Sequence, residues 1–274
     1  MKNGFWISAF DGKIGNNDET LLKYSNSFLL RNDNSQNKEN SIVICLHGWT
    51  ATTYESKPIG DAIFQSGIDS AGPLLPGHGF KENSVAKKEL SKIKYTDWIS
   101  AVSHEIKQAR KKYKKVFIYG QSMGGALALN AASEGLVDAC AVTAPAIKLP
   151  ISLNIIGPII GFMNIFRKKE INQNFYNEEY SFESFKSANE LRKLAKTVQN
   201  NLGKIKCPIL ICHSKKDSAI DPIVPEIIKE KTNGKVEIAW FNDSEHSMTL
   251  DIQGKEIAKK ICTFFLEQLK NLNS

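Results

Sequence analysis

A serine in a glycine-rich segment is the first candidate for chemistry in this sequence. Ser122 lies in the pattern G-x-S-x-G between Gly120 and Gly124, after an apolar run at 116–119 and before an alanine-rich run at 126–132. This order predicts a strand, a sharp turn and a helix, and such a turn lifts the serine hydroxyl clear of the sheet. A tight packing corner or a phosphate-binding loop also gives such a pattern. Ser122 is therefore predicted as a nucleophile only if the chain also supplies a base and an acid.

His246 stands where a catalytic base is expected. It follows the last predicted strand, residues 236–241, in a loop that could hold its imidazole over Ser122. In enzymes with a G-x-S-x-G turn the triad runs serine, acid, histidine along the chain, so the base comes last. The other histidines are His47 and His78 in glycine-rich loops, His104 within a helix and His213 at a strand end. We expect His78, in a Pro-Gly-His-Gly turn, to bond to nearby backbone and to take no part in chemistry.

Two carboxylates compete for the role of the acid. Asp217 falls in the turn directly after the predicted strand at 208–213, whereas Asp221 precedes Pro222 at an expected helix start. Aspartate before a helix is well explained as an N-cap. We therefore predict that Asp217 holds His246 in the correct tautomer and stabilises its imidazolium.

Strand and helix patterns alternate along most of the chain. Continuous apolar runs of strand length are typical of strands covered on both faces of a parallel sheet. The predicted strands are 27–30, 41–46, 68–72, 116–119, 136–143, 208–213 and 236–241, and the predicted helices are 54–65, 95–112, 126–132, 224–229 and 255–269. We expect residues 32–40 to form an exposed hairpin loop. The alternation predicts an α/β fold with a mostly parallel, doubly wound sheet.

The alternation stops at residues 146–206, where no strand pattern is found. Two helical pieces are predicted there, at 153–166 and 184–199. An insertion at this point would lie over the carboxyl ends of the strands, where open α/β sheets bind ligands. The sequence thus predicts a core formed by residues 1–145 and 207–274, with residues 146–206 as a helical cap.

Five motifs in order resemble those of α/β-hydrolases, in particular bacterial carboxylesterases and monoacylglycerol lipases. They are His47-Gly48-Trp49, Leu75-Pro76-Gly77-His78-Gly79, the turn at Ser122, the run from Asp217 to Pro222, and Glu245-His246. The resemblance covers nearly the whole chain. It implies a serine ester hydrolase with an oxyanion hole made by the backbone N–H groups of Trp49 and Met123. The sequence departs from this group at Trp49, where phenylalanine is usual, and at Glu245, where a small residue is common.

The first half of the expected cap is unusually apolar. It leads us to predict Ile151, Ile155, Ile159, Phe162 and Met163 as substrate-binding residues. The segment could be a buried cap helix, a lid that forms an acyl pocket, or an element in transient contact with a membrane surface. The lid interpretation is favoured.

The composition indicates which kinds of partner and cofactor are expected. The 36 basic and 29 acidic residues give a net charge of +7, but no basic stripe with interleaved aromatic residues suggests nucleic-acid binding. The five cysteines lie singly in apolar runs without ligand spacing, so buried free thiols and no metal or other cofactor are expected. The N-terminal residues lack the apolar core of a signal peptide, which predicts a cytoplasmic protein. The oligomeric state is not indicated.

The sequence therefore favours hydrolysis of a small-molecule ester through an acyl-enzyme on Ser122. Medium- or long-chain monoacyl esters such as monoacylglycerols are the expected substrates. Two alternatives remain open. One is a non-catalytic protein of this fold that binds a ligand or partner, because folds host many functions. The other is an acyltransferase or thioesterase that uses the same serine, acid and histidine.

Overall fold

A seven-stranded sheet forms the centre of the structure. The computed structural model describes residues 6–11, 19–32, 40–169 and 175–271 of the chain. The strands are β1 (Phe28–Leu30), β2 (Ser41–Leu46), β3 (Asp69–Gly72), β4 (Lys115–Gln121), β5 (Ala139–Thr143), β6 (Phe166–Lys168), β7 (Phe182–Ser184), β8 (Ile209–Ser214) and β9 (Val236–Phe241). The large sheet has the order β1-β3-β2-β4-β5-β8-β9; β1 is antiparallel to β3, and the other neighbouring pairs are parallel. The predicted mostly parallel sheet is confirmed.

Helices cover both faces of this sheet. They are α1 (Thr53–Gln65), α2 (Asn83–Leu90), α3 (Tyr95–Arg110), α4 (Met123–Ser133), α5 (Ile151–Ile160), α6 (Phe185–Asn201), α7 (Val224–Lys231) and α8 (Gly254–Asn271). Apolar residues of α1 and α8 share one core cluster, whereas those of α3 and α4 belong to the other. The fold is therefore doubly wound, as predicted.

Strand β2 shows why the apolar runs form buried strands. All six of its residues are buried. Side chains alternate between the faces of a strand, so Ile42, Ile44 and Leu46 join the core on the α3 and α4 side, whereas Val43 and Cys45 join the core beneath α1 and α8. The five apolar residues that follow Ser41 fit this position because both faces are covered.

The segment between β5 and β8 contains α5, β6, β7 and α6, followed by a short 3-10 helix at Leu202–Lys204. Helix α6 packs on α4, and α5 packs on α6. The expectation of helices alone in residues 146–206 is wrong, because β6 and β7 pair in an antiparallel two-stranded sheet. Each of these strands has three residues, too few for an alternating pattern to stand out.

Two further details differ from the sequence prediction. Strands β1 and β2 do not form the expected hairpin, because both pair with β3 and not with each other. Of the expected loop at 32–40, residues 33–39 lie outside the described part. Helix α2 was not predicted. Only Ala86 and Leu90 of its residues are buried, so its apolar periodicity is weak.

The turn from β4 to α4 brings backbone atoms into close contact on both sides of Ser122. A Cβ atom on Gly120 would lie 2.1 Å from the carbonyl oxygen of Gly124, and one on Gly124 would lie 2.5 Å from that of Leu46. Both distances are far shorter than a van der Waals contact with a backbone atom, which cannot move aside cheaply. Ser122 itself has φ 53° and ψ −111°, a conformation that non-glycine residues rarely adopt. The glycines are therefore required for the predicted sharp turn.

We predict that Gly124→Ala lowers the free energy of unfolding by about 1–3 kcal/mol or more, because the added methyl group forces β2 and α4 apart. Urea unfolding followed by circular dichroism measures this change. Gly203→Ala is the control, since its Cβ would meet its nearest neighbour at 3.5 Å, an ordinary contact. Equal stabilities of the two variants would contradict the packing argument.

Candidate active site

Ser122 is fixed by backbone hydrogen bonds on both sides of the turn. Its N–H donates to the carbonyl oxygen of Thr143 at 2.9 Å, and its own carbonyl accepts the N–H groups of Ala126 and Ala146, each at 3.0 Å. These bonds tie the turn to β5 and to the first turn of α4. A strained backbone persists only where its surroundings hold it, as these bonds do. The Ser122 hydroxyl is thus presented in one defined place above the sheet.

His246 lies in the loop after β9, with its ring directed at Ser122. The distance from His246 Nε2 to Ser122 Oγ is 3.0 Å. The side-chain amide of Gln121, the last residue of β4, donates to the backbone carbonyl of His246 at 2.7 Å. Gln121, the residue before the serine, therefore helps to hold the His246 loop next to the turn.

Asp217 lies on the far side of the imidazole. Its carboxylate oxygens are 2.9 Å and 3.1 Å from His246 Nδ1. The N–H groups of Ala219 and Ile220 donate to Asp217 Oδ1 at 2.8 and 2.9 Å, which fixes the carboxylate. An ionised carboxylate only accepts hydrogen bonds, so Nδ1 must carry the proton and Nε2 is left to accept from Ser122. This tautomer is the one a base next to serine needs.

The charges of this pair stabilise each other. Burial alone would raise the pKa of Asp217, but the hydrogen bond and charge of His246, with the two backbone donors, lower it below its ordinary value. Burial alone would lower the pKa of His246, but the hydrogen bond and charge of Asp217, and then the charge of Glu55, raise it above its ordinary value. The site therefore favours an imidazolium once a proton arrives.

Asp221 lies apart from this arrangement. Its carboxylate pairs with Lys148 Nζ at 2.7 Å and accepts the N–H of Ile223 at 3.0 Å. Helix α7 begins at Val224 with Ile223 as its cap residue, so Asp221 closes the turn before the helix and is not its N-cap as expected. Of the two candidate acids, the structure brings only Asp217 to His246.

The two backbone N–H groups expected to form an oxyanion hole belong to Trp49 and Met123. Met123 is the first residue of α4, where a helix offers its N–H no partner. Trp49 lies in the loop after β2, and its indole Nε1 donates to Ser187 Oγ of α6 at 2.8 Å. Within the described residues, no hydrogen bond uses either backbone N–H.

Two buried histidines brace the loop that carries Trp49. His47 Nε2 accepts the N–H of Leu75 at 3.0 Å, and His78 Nε2 accepts the N–H of Thr50 at 3.2 Å. His78 Nδ1 lies 3.0 Å from the carbonyl oxygen of Pro76. Burial lowers the pKa of His78 to about 4 and that of His47 well below its ordinary range, so both rings are neutral and able to accept. The expectation that His78 bonds local backbone is confirmed.

The apolar residues of the cap are largely exposed. The exposed fractions are 62% for Ile155, 64% for Ile159, 74% for Phe162 and 42% for Met163. Ile151 begins α5, but its side chain lies outside the described set. An apolar surface of this kind is uncommon on a monomer and indicates a surface that binds something. The structure thus places the side chains of Ile155, Ile159, Phe162 and Met163 at the surface of the protein.

One polar residue near the serine was missed by the sequence analysis. Glu55, in the first turn of α1, is 4% exposed, and its Oε2 accepts the N–H of Gly48 at 2.7 Å. A sequence signal did exist, because Glu55 precedes Ile59 and Ile63 by four and eight residues on the same helical face. An acid on a buried apolar face needs a partner.

Known proteins are similar to this chain over most of its length. The family described as serine aminopeptidase, S33, matches residues 37–253. A thermostable monoacylglycerol lipase of Bacillus sp. strain H-257 is 27% identical over 241 residues, covering 81% of this chain and 89% of the relative. A carboxylesterase of Bacillus subtilis strain 168 is 23% identical over 237 residues, covering 83% of this chain and 92% of the relative.

Solved structures share the fold. A soluble variant of monoglyceride lipase from Saccharomyces cerevisiae has a TM-score of 0.74 at 16% identity, over 89% of this chain and 91% of that one. The structure reported with the lipolytic enzymes LipS and LipT gives 0.81 at 19% identity, over 90% and 99% of the two chains. With the match to more than half of its length, the chain belongs to the serine aminopeptidase, S33, family and has the α/β-hydrolase fold expected from its motifs.

Proposed function

We propose that this protein is a serine ester hydrolase that cleaves monoacylglycerols or similar medium- to long-chain monoacyl esters. The observation that carries the proposal is the continuous relay from Ser122 Oγ through the His246 ring to Asp217, with contacts of 3.0 and 2.9 Å. A serine hydroxyl is a poor nucleophile until an adjacent base accepts its proton. The monoacylglycerol lipase and carboxylesterase relatives support the ester class.

Each residue has one role in the proposed reaction. Ser122 Oγ attacks the ester carbonyl while His246 Nε2 takes its proton, and Asp217 stabilises the imidazolium that forms. The imidazolium then protonates the departing alcohol, which leaves an acyl group on Ser122. Water repeats the sequence on the acyl-enzyme, with His246 again as the base, and frees the acid and Ser122.

The proposed reaction also requires groups that stabilise an oxyanion. Negative charge develops on the former carbonyl oxygen, and the N–H groups of Trp49 and Met123 are the proposed donors. The positive end of the α4 dipole lies at the same place, since Met123 begins that helix. Losing one such donor typically costs about 10²–10³ in rate.

The preference for an apolar acyl chain rests on the exposed cap surface. Ile155, Ile159, Phe162 and Met163 present side chains that a lipid tail or a lipid aggregate would cover. Every substrate methylene removed from water contributes roughly 0.8 kcal/mol, which raises kcat/KM about threefold to fourfold per carbon until the surface is used up. No helix in the described residues is long and apolar enough to cross a membrane.

We predict that the wild-type protein hydrolyses p-nitrophenyl esters and a monoacylglycerol, and that Ser122→Ala loses about 10⁴- to 10⁶-fold in kcat with its fold unchanged. Initial rates and circular dichroism measure both effects. An aminoacyl p-nitroanilide, assayed in parallel, tests peptidase activity. Wild-type rates in the variant, or cleavage of the anilide without any ester, would overturn the proposal.

We predict that Asp217→Asn lowers kcat by about 10⁴-fold, because the amide no longer fixes the His246 tautomer or stabilises its charge. Asp221→Asn is the matched control, since its carboxylate pairs with Lys148 and not with the histidine. Steady-state kinetics on one ester compare the two variants. A larger loss of kcat in Asp221→Asn than in Asp217→Asn would show that Asp217 is not the catalytic acid.

We predict that the double variant Ile159→Ser/Phe162→Ser lowers kcat/KM for a p-nitrophenyl ester of twelve carbons but not for the acetate, because only the long chain reaches the apolar surface. Val85→Ser serves as the control, since Val85 is exposed on α2. Repeating the assay at substrate concentrations below and above the point of aggregation distinguishes contact with a single acyl chain from docking on a lipid aggregate. A defect limited to aggregates indicates surface docking, and an unchanged chain-length profile in both regimes would refute the role of the cap.

A further inference from the structure

A second buried carboxylate lies beside the proposed nucleophile and takes no part in the relay. Glu55 Oε2 accepts the backbone N–H of Gly48 at 2.7 Å. Either charge state of this side chain offers an oxygen that can accept the bond. Burial raises the pKa of Glu55, whereas the Gly48 N–H and the charge of His246 stabilise its ionised form.

Gly48 lies between Glu55 and the serine. A Cβ atom on Gly48 would be 3.0 Å from Glu55 Oε2 and 3.4 Å from Ser122 Cβ. Gly48 is also joined directly to Trp49, the proposed oxyanion donor. Because Glu55 fixes the N–H of Gly48, it restricts rotation of the backbone that aims the N–H of Trp49.

The backbone of Glu55 reaches the histidine loop as well. Thr249, three residues after His246, donates its hydroxyl to the carbonyl oxygen of Glu55 at 2.9 Å. One residue of α1 thus contacts both the loop after β2 and the loop after β9. A change in its side chain leaves the second contact in place, so the two effects can be separated.

The charges around the imidazole come from three elements. His246 is influenced by Asp217 from the loop after β8, by Glu55 from α1 and by Lys169 from the cap. Lys169 is paired with Glu179 and donates to Thr50 Oγ1 at 2.9 Å, so its positive charge is largely compensated. Glu55 is influenced in turn by Gly48, His246, Glu179 and Lys169, and it acts on the phenol of Tyr119 in β4.

We propose that Glu55 is a positioning residue of this site, which fixes the Gly48–Trp49 backbone of the oxyanion loop and places a second negative charge near the imidazole of His246. The role in catalysis rests on the function proposed above. The placement of the charge does not, because it is a property of the folded protein alone. Two separable consequences follow, one for the pKa of His246 and one for the rate.

Electrostatics determines whether the pKa of His246 rises or falls when the charge of Glu55 is removed. Burial raises the pKa of Glu55, while the Gly48 N–H and the charges of His246 and Lys169 oppose that rise. The ionised carboxylate favours the imidazolium, so its removal lowers the pKa of His246. A base with a lower pKa remains neutral to lower pH, and the acid limb of kcat/KM moves down with it.

The variants are chosen to separate charge from hydrogen bonding. Glu55→Gln removes the charge and keeps an oxygen that can accept from Gly48, whereas Glu55→Ala removes both. Glu105→Gln is the matched control, because Glu105 is also a buried glutamate that accepts a backbone N–H, that of Ala9 at 3.1 Å, but it lies on α3 against the N-terminal segment.

The experiment combines an NMR titration of the His246 ring with the pH dependence of ester hydrolysis, and thermal unfolding reports folding. For Glu55→Gln we expect the pKa of His246 to fall by about one unit, at the low end of the shifts of about 1–3 units that a neighbouring opposite charge causes. For Glu55→Ala we expect kcat to fall by about tenfold as well, less than the loss of a complete oxyanion donor. Glu105→Gln should leave both quantities unchanged.

An unchanged His246 pKa in folded Glu55→Gln would overturn the proposal, and so would wild-type kcat in Glu55→Ala. A shift of equal size in Glu105→Gln would also overturn it, since a remote charge would then do the same. If no ester is hydrolysed by the wild-type protein, the proposed function fails, while the NMR titration still decides the placement of the charge.

Discussion

The close backbone contact between β4 and α4 is the constraint on which the rest of the site depends. A Cβ atom on Gly120 would lie 2.1 Å from the Gly124 carbonyl, so strand and helix can meet this tightly only through glycine. The approach forces Ser122 to φ 53°, and bonds to Thr143 and Ala146 hold it there. The strain is useful because it places a hydroxyl, a helix N-terminus and the end of β4 at one point.

The parallel strands of the sheet position the other residues of the site. The loops after β2, β4, β8 and β9 leave the sheet at its same edge, and they bring Trp49, Ser122, Asp217 and His246 together. Side chains cross-link these loops: Gln121 holds the His246 loop, and the neutral rings of His47 and His78 hold the loop of Trp49. Such fixed dipoles stabilise developing charge without reorganising during the reaction.

The sequence predicted what is local and failed where tertiary contacts decide. Apolar runs predicted the buried strands, and the order of motifs predicted Ser122, Asp217 and His246, which the structure joins by hydrogen bonds. The partner of β1 is encoded in β3, some forty residues away, so a local hairpin pattern was misleading. In α5 nearly every residue is apolar, and no polar face told which side would be exposed. The burial of Glu55 depends equally on packing that only the folded chain supplies.

The central claim is that this fold activates one particular hydroxyl. Reaction of the native protein with a fluorophosphonate, followed by proteolysis and mass spectrometry, tests it most directly. The account predicts one adduct per chain, located on Ser122, and formed far more slowly in His246→Ala because the base is missing. An adduct on a different serine, or a folded protein that gains no mass, would contradict it.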